Sequence, residues 1–110
     1  MVEAASLASR IDGDDGGIVT TEAACASWAL DGGAVHVYDV AGTPDDLPAL
    51  LRALDAVGRR SFAAVLTASL YDGDPVLAAL TAEGFVTDWE EADVRAGVAA
   101  KLVGLVREIA

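Results

Sequence analysis

The sequence predicts an α+β fold in which a mixed, largely antiparallel sheet of six to seven strands carries two helices, in one domain over residues 1–110. Three observations predict it. Ala34–Ala41 is a β-rich run, Thr43–Arg60 repeats leucine at helical spacing, and Phe62–Leu70 is almost wholly apolar. A strand, a helix and a second strand in this order form a right-handed crossover between parallel strands.

Composition and charge exclude several classes of protein. The chain is 54% hydrophobic, which excludes disorder, yet no run approaches the ~20 apolar residues of a membrane span. The net charge of −11 disfavours nucleic acid and anionic membranes as partners, since both require a basic surface. The lone Cys25 forms no internal disulfide and has no neighbouring metal ligands, so no metal site is predicted. We expect a soluble, cytoplasmic protein.

The first third of the chain predicts strands joined by glycine-rich turns. Val2–Ile11 is a candidate strand, and the Gly/Asp run Asp12–Gly17 is read as a hairpin loop. A calcium loop is rejected because Gly16 and Ala23 stand where its ligands are required. Ile18–Leu30 is predicted as one strand that ends at an Asp-Gly-Gly turn.

The strand Ala34–Ala41 is apolar on both faces, which is typical of a central strand. Its alternation predicts two sets of side chains, Val35, Val37 and Asp39 on one face and His36, Tyr38 and Val40 on the other.

Two helices are predicted from their end signals. Thr43 can cap the first helix, Pro44 suits its first turn, and two aspartates follow, where the helix dipole favours negative charge. One apolar stripe then runs along the helix, through Leu47, Leu50, Leu51, Leu54 and Val57. The second helix, Asp74–Glu83, begins with Asp-Pro and is closed by Gly84.

The C-terminal quarter predicts a hairpin. Val86–Val94 is acidic, contains Trp89 and suits a sheet edge, where charge discourages further pairing. Val98–Ile109 fits either a helix or a buried strand. The Ala96-Gly97 pair between the two runs favours a hairpin, so a strand is predicted.

The element order, together with the Gly84-Phe85 pair after the second helix, resembles the GNAT-type N-acetyltransferase superfamily without its first strand and first two helices. In that family the turn after the central strand carries R/Q-x-x-G-x-G/A, whose amides cradle the pyrophosphate of acyl-CoA. The resemblance implies acetyl-CoA as cofactor if the family activity is retained. It also makes the turn residues Val40, Gly42 and Thr43 cofactor-binding candidates. Ser69, near the carboxyl end of the next strand, is a further candidate because open α/β sheets bind ligands there.

The sequence departs from the family pattern where the chemistry is done. The turn has one glycine and is about three residues short, and Pro44 removes an amide donor. Asp45 and Asp46 place negative charge where a phosphate would bind. Leu80 occupies the position of the family's proton-donating tyrosine. His36, the single histidine, and Tyr71 are the remaining catalytic candidates.

Three functions follow as hypotheses. The first is a catalytically degenerate GNAT-like module that acts through protein contacts. Two helices cannot cover both faces of a wide sheet, so a homodimer or a protein partner is expected on the exposed apolar face, possibly with paired sheet edges. The second is an active acetyl-CoA-dependent N-acetyltransferase with a short cofactor site. The third is an acidic binding or inhibitor-type protein with a basic partner.

Overall fold

The computed structural model describes residues 16–109, and in this range it confirms the predicted α+β fold. Six strands form one mixed sheet in the order β1-β2-β3-β4-β6-β5. The strands are β1 (Gly16–Thr20), β2 (Ala24–Asp31), β3 (Ala34–Gly42), β4 (Val65–Tyr71), β5 (Val86–Arg95) and β6 (Val98–Glu108). Only β3 and β4 pair in parallel, and the other neighbours are antiparallel. The predicted strand Val2–Ile11 and the loop from Asp12 to Asp15 lie outside the described residues.

The second helix begins at its predicted Asp-Pro signal, whereas the first begins four residues later than predicted, and neither Thr43 nor the alternative cap Asp46 makes a side-chain capping hydrogen bond. Helix α1 (Leu47–Arg60) follows a 3-10 turn (Pro44–Asp46) and connects β3 to β4, so the crossover between parallel strands is confirmed. Helix α2 (Pro75–Ala82) connects β4 to β5 and is capped by Asp74, whose Oδ1 accepts a hydrogen bond from the Val76 amide at 2.9 Å.

The prediction of one strand over Ile18–Leu30 is wrong. The chain turns back after Thr20, and β1 and β2 form an antiparallel hairpin around Thr21. The Thr21 amide donates to the Ala24 carbonyl at 2.8 Å, and the Ala24 amide donates to the Thr21 hydroxyl oxygen at 3.2 Å. The sequence around this turn has no glycine or proline, the residues that usually mark a turn. Its threonines also suit a strand, so the turn is not visible in the sequence.

A bulge in β3 changes the predicted alternation of its side chains. The partners of β3 in β2 step from Val37 opposite Trp28 to Asp39 opposite Ser27, which leaves Tyr38 as the extra residue. Asp39 therefore faces away from Val37, contrary to the alternation that the sequence predicts.

The core lies on one face of the sheet, here called the covered face. The stripe of α1 and the last turn of α2 pack against alternate residues of the strands, among them Trp28, Val35, Leu66 and Leu105. Beneath α1, Arg107 of β6 donates from Nη2 to Oδ1 of Asp55 at 2.6 Å, and its guanidinium lies 5.3 Å from the centre of the Phe85 ring. Asp55 is 3% exposed, and it is the one charged side chain among the described residues that is classed as fully buried.

No helix within residues 16–109 lies on the opposite face, here called the open face. Its middle is made of uncharged side chains that are half-buried by their sheet neighbours. The register gives them as Ile18, Cys25, Ser27, Ala29, His36, Thr67, Ser69, Leu102 and Val106. Charged residues border them on the same face: Asp39 beside Ser27, and Glu91 and Asp93 on β5. Two larger apolar side chains of β5 lie on the same face, Val86 at 61% exposure and Trp89 at 41%.

The C-terminal hairpin is also as predicted. The last segment is the strand β6, and β5 lies at the edge of the sheet with all ten of its residues exposed. The predicted start of β4 at Phe62 is wrong, because Phe62 lies in the connection after α1 with its side chain 94% exposed.

Candidate functional site

The sheet opens between its two parallel strands. β3 and β4 pair only from Ala34 opposite Val65 to Val37 opposite Ala68, although β3 continues to Gly42 and β4 to Tyr71. Pairing stops where the bulge at Tyr38 bends β3 away. The carboxyl ends of the two strands therefore diverge, and a ligand can reach between them.

A cavity of about 300 Å³ lies beside this opening. It is enclosed by the end of β3, the 3-10 turn with the start of α1, and the first turn of α2. The lining is mostly apolar, and Leu47, Val76 and Ala79 form part of it. Val40, Gly42 and Thr43 also line it, so the structure brings together the three turn residues that the sequence predicts to bind a cofactor. Ser69 is not among the lining residues, and the register places it on the open face.

The backbone amides of the turn are already occupied by the protein. The Thr43 amide donates to the Ala23 carbonyl and the Asp46 amide to the Thr43 carbonyl, each at 3.1 Å. The Leu47 amide donates to the Pro44 carbonyl, and Pro44 itself has no N–H. An anion-binding nest needs several amides that point outward together. Of the five consecutive positions from Thr43 to Leu47, only Asp45 has an amide that is not used in one of these hydrogen bonds.

Gly42 is required by backbone packing. Its φ of +117° is one that side-chain-bearing residues rarely adopt, and a Cβ there would overlap the Ala23 carbonyl and lie 2.5 Å from the Ala24 Cα. The single glycine of the turn is thus explained by its close approach to the start of β2.

Asp46 links the turn to the β1–β2 hairpin through two hydrogen bonds. Its Oδ2 accepts a hydrogen bond from the Ala23 amide at 2.8 Å and another from the Thr21 hydroxyl. The Thr21 and Ala23 hydrogen bonds lower the pKa of the Asp46 carboxyl below its ordinary value. The carboxylate is therefore held in its charged form beside the turn and is not displaced into solvent.

The start of α2, on the other side of the cavity, is also satisfied internally. Pro75 has no N–H, the Val76 amide donates to the Asp74 side chain, and the Leu77 amide donates to the Asp74 carbonyl at 3.0 Å. Among residues 16–109, Asp74 is the only charged residue that lines the cavity, and no Lys, Arg or His of this range lines it. Both helix N-termini thus face the cavity without free donors in their first positions.

His36 lies on the open face, one residue before the strands diverge. Its Nδ1 lies 2.7 Å from the Thr67 hydroxyl on β4, and its ring meets the Tyr38 ring edge-on at 4.6 Å between centres. Burial lowers the pKa of His36, and the nearby charge of Asp31 opposes that shift. A neutral imidazole beside a hydroxyl can accept a proton, but the ring is not among the residues that line the cavity.

Tyr71 is held away from the cavity by the β5–β6 hairpin. Its hydroxyl donates to Oδ2 of Asp93 at 2.9 Å, and the Arg95 guanidinium lies 4.6 Å from the ring centre. The hydrogen bond to Asp93 raises the pKa of Tyr71, so the phenol keeps its proton. The sequence did not predict Asp93 or Arg95 as partners of Tyr71. A contact from β4 across β6 to β5 depends on the order of the strands in the sheet.

The sequence also missed the lining residues from α2, among them Asp74 and Val76. The sequence did contain a signal for them. Asp74-Pro75 marks the start of the helix that follows β4, and open α/β sheets bind ligands at the carboxyl ends of their strands, where such helices begin. Within residues 16–109 no group of three or more His, Cys, Asp or Glu is arranged to hold a metal ion. Neither described helix is long and apolar enough to cross a membrane.

Solved structures of acetyltransferases share the fold of this chain. The chain superposes on the ribosomal-protein-S18-alanine N-acetyltransferase of Escherichia coli with a TM-score of 0.67, covering 93% of this chain and 76% of that one at 14% identity. An acetyltransferase of the GNAT family from Streptococcus pneumoniae gives 0.72 at 10% identity, over 93% of this chain and 71% of that one. The chain has the fold of the GNAT-type N-acetyltransferases.

A third structure with the GNAT fold comes from Salmonella typhimurium. That protein, assigned as an acetyltransferase, was solved with its cofactor acetyl-CoA, and it matches with a TM-score of 0.72 at 17% identity over 93% of this chain and 69% of that one. This chain therefore spans about 69–76% of the length of these three GNAT-fold proteins. Neither protein-family models nor curated protein sequences give a match.

Proposed function

We propose that this chain is a catalytically degenerate GNAT-fold module that acts through protein contacts, and that it works as a homodimer joined by its open face. The observation that carries the proposal is the one-sided core. Both helices pack on the covered face, while the middle of the open face presents half-buried uncharged side chains with Val86 and Trp89 beside them. Exposed apolar side chains grouped on one face are a candidate contact site in soluble proteins.

The charge distribution favours a second copy of the chain as the occupant. With a net charge of −11, two copies repel wherever their acidic surfaces meet. The side chains in the middle of the open face are uncharged, so two copies related by a two-fold axis can stack there with less repulsion, although Asp39 and Glu91 lie beside it on the same face. Trp89 lies across Gly104 on this face, and tryptophan is the residue type most enriched at the energetic centres of interfaces.

Pairing of two β5 edges is the less favourable form of dimer. β5 carries Asp88, Glu90, Glu91 and Asp93, and an antiparallel pair of such edges would set carboxylates against each other. In a face-to-face dimer Glu90 points away from the contact, whereas Glu91 and Asp93, on the same face as Trp89, lie at its β5 side. A stable interface needs roughly 800 Å² per partner, which the middle of the open face would have to supply together with its margins.

The occupied turn supports the absence of CoA-dependent chemistry. A CoA diphosphate gains its affinity from free amides and positive charge at a helix N-terminus. The amides of Thr43, Asp46 and Leu47 donate within the protein, and Asp45 and Asp46 add negative charge. Leu80, buried in the core, stands where the resemblance expects a proton-donating tyrosine.

The dimer is tested by light scattering across a dilution series. The natural chain should show twice its monomer mass and dissociate only on strong dilution. Val106→Lys, in the middle of the open face, should raise the dissociation constant by about 100-fold or more, because it buries an unpaired charge. This change lowers the net negative charge, so general repulsion cannot account for a loss of the dimer.

Val94→Lys is the matched control. Val94 is 66% exposed on β5 and faces away from the open face, so its variant should keep the mass of the natural chain. A natural chain that stays monomeric at every concentration, or equal effects of the two variants, would reject the dimer.

The cavity favours a second candidate function, an active acetyl-CoA-dependent N-acetyltransferase with a short cofactor site. The cavity lies beside the strand opening, between the starts of both helices, and a neighbour with the same fold was solved with acetyl-CoA. Calorimetric titration with acetyl-CoA separates the candidates. Micromolar binding that is lost in Ala79→Leu, which fills the cavity, would favour the enzyme; no binding would favour the degenerate module.

A further inference from the structure

We propose that the outer edge of β5, the edge that faces away from β6, binds an extended basic segment of a partner protein as an added strand of the sheet. Lysine or arginine side chains of that segment pair with the carboxylates of β5, and its backbone hydrogen-bonds with the edge. The added strand lies in the plane of the sheet, so the proposal does not rest on a contact through the open face.

The backbone of β5 provides the edge. Val86–Arg95 is ten residues long and, within residues 16–109, pairs only with β6, so no described strand lies along its other side. All ten residues are exposed. A long exposed edge is a template on which another chain can pair, through the backbone hydrogen bonds that join strands within a sheet.

The charges of β5 select the strand that can pair there. Four carboxylates, those of Asp88, Glu90, Glu91 and Asp93, stand against the single arginine Arg95. Charge on an edge strand discourages pairing, but charge of one sign repels only strands that carry the same sign. A second β5 is therefore disfavoured at this edge, whereas a basic strand is favoured.

Two of the four carboxylates already have partners within the chain. Oδ2 of Asp93 accepts a hydrogen bond from the Tyr71 hydroxyl at 2.9 Å, and Oε2 of Glu90 lies 3.2 Å from Nζ of Lys101. Asp88 and Glu91 form no salt bridge with any residue in the part of the chain that the structure describes. A cation of the partner can pair with these two carboxylates without displacing a partner from the chain itself.

Exposed apolar side chains accompany the carboxylates. Among the described residues six large apolar side chains are exposed, and four of them belong to the β5–β6 hairpin: Val86, Trp89, Val94 and Val98. Apolar pairs and opposite-charge pairs across neighbouring strands both stabilise a sheet. A segment in which basic and apolar residues alternate therefore fits this edge better than a purely basic one.

The test is a titration near neutral pH, followed by two-dimensional amide NMR spectra, with three capped heptapeptides. In the first peptide lysine alternates with valine, and in the second glutamate replaces every lysine. The third has the sequence of the first but is methylated on its central amide nitrogens, which keeps every charge and removes the donors that a strand needs.

We expect the lysine peptide to shift the amides of Trp89, Glu91 and Val94 with a dissociation constant on the order of 1 mM or tighter. It should also slow the exchange of alternate amides of β5 with solvent, because only alternate amides point to the outer edge. The glutamate peptide should not bind. The methylated peptide should bind about tenfold more weakly than the lysine peptide.

Variants separate this edge from the rest of the acidic surface. Glu91→Gln should weaken binding of the lysine peptide about threefold, as expected for one exposed ion pair. Glu22→Gln is the matched control, because it removes an equal charge from the exposed β1–β2 turn, far from β5 in the strand order, and it should leave the affinity unchanged. Val94→Lys places a like charge beside the peptide and should weaken binding at least as much as Glu91→Gln.

No binding of the lysine peptide, or amide shifts that avoid β5, would overturn the proposal. Equal affinities of the lysine and methylated peptides, or equal effects of Glu91→Gln and Glu22→Gln, would also overturn it, because the peptide would then be held by general charge and not as a strand. The dimer is judged from the mass of the chain and not from any of these results, so the two proposals fail separately.

Discussion

The middle of the covered face and the middle of the open face each contain a polar pair, and the two pairs differ in charge. On the covered face Asp55 and Arg107 form an ion pair beneath α1. On the open face His36 and Thr67 form a pair across β3 and β4, with the pKa of His36 lowered by burial. The buried charge thus lies where a partner and a covering helix are fixed, while the charged residues of the open face, Asp39, Asp93 and Arg95, lie outside its middle. The face without a helix has uncharged groups in its middle, and such groups cost less free energy to remove from water than charged groups do.

The largest effect is expected on the covered face. Asp55→Ala leaves the Arg107 guanidinium beneath α1 without its carboxylate, and Nε of Arg107 has no hydrogen-bond partner in the part of the chain that the structure describes. Removing one member of a buried pair costs about 3 kcal/mol or more of unfolding free energy. Urea denaturation measures it.

The control for this prediction is Asp88→Ala, which removes a carboxylate from the exposed edge strand β5. It should change the unfolding free energy by less than about 0.5 kcal/mol. A double variant, Asp55→Leu with Arg107→Met, should recover most of the lost stability, because an apolar pair needs no charge partner. Comparable costs for the two single variants would mean that the ion pair contributes little.

The covered face was largely predictable from the sequence, and the open face was not. The stripe from Leu47 to Val57 and the apolar run of β4 specify a helix on a sheet through local periodicity alone. Which strand faces remain bare depends on the β1–β2 turn and on the bulge at Tyr38. Neither leaves a local signal, since Thr21 and Tyr38 are ordinary strand residues.

The candidate site also has a part that the sequence predicts and a part that it does not. The occupied turn was foreseen in part, because Pro44 and the two aspartates are visible in the sequence. The contact of Asp46 with the β1–β2 hairpin was not foreseen, since it joins residues 23 or more positions apart. Its partner Thr21 falls inside the predicted strand Ile18–Leu30, which the structure divides into β1 and β2.

An intermediate effect of opposite sign is expected where the covering helix ends. Phe62 follows α1 with a φ of 57°, in the left-handed region that favours glycine, and its amide donates to the Arg59 carbonyl at 3.3 Å. Because the ring is 94% exposed, Phe62→Gly loses almost no apolar burial. It should raise the unfolding free energy by up to about 1 kcal/mol. Ser61→Gly, at a residue with negative φ, should not stabilise the chain.

The smallest effect is expected from His36 on the open face. Its pKa is lowered in the folded chain, so below about pH 6.5 the unfolded chain takes up the proton first. Stability is therefore complete above that pH and falls as the pH drops through the unfolded and then the folded pKa. The acidic surface works in the opposite direction, because protonating carboxylates relieves its self-repulsion. His36→Asn isolates the imidazole, since it is the only histidine of the chain.

The measurement compares urea unfolding of the natural chain and His36→Asn at about pH 7.5 and about pH 5.5. The natural chain should lose more stability over this interval than the variant. The difference should grow at concentrations that favour a dimer through the open face, because stacking a second sheet there removes more water from the ring. Equal losses in the two proteins at every concentration would show that the imidazole of His36 stays solvated and that nothing covers this face.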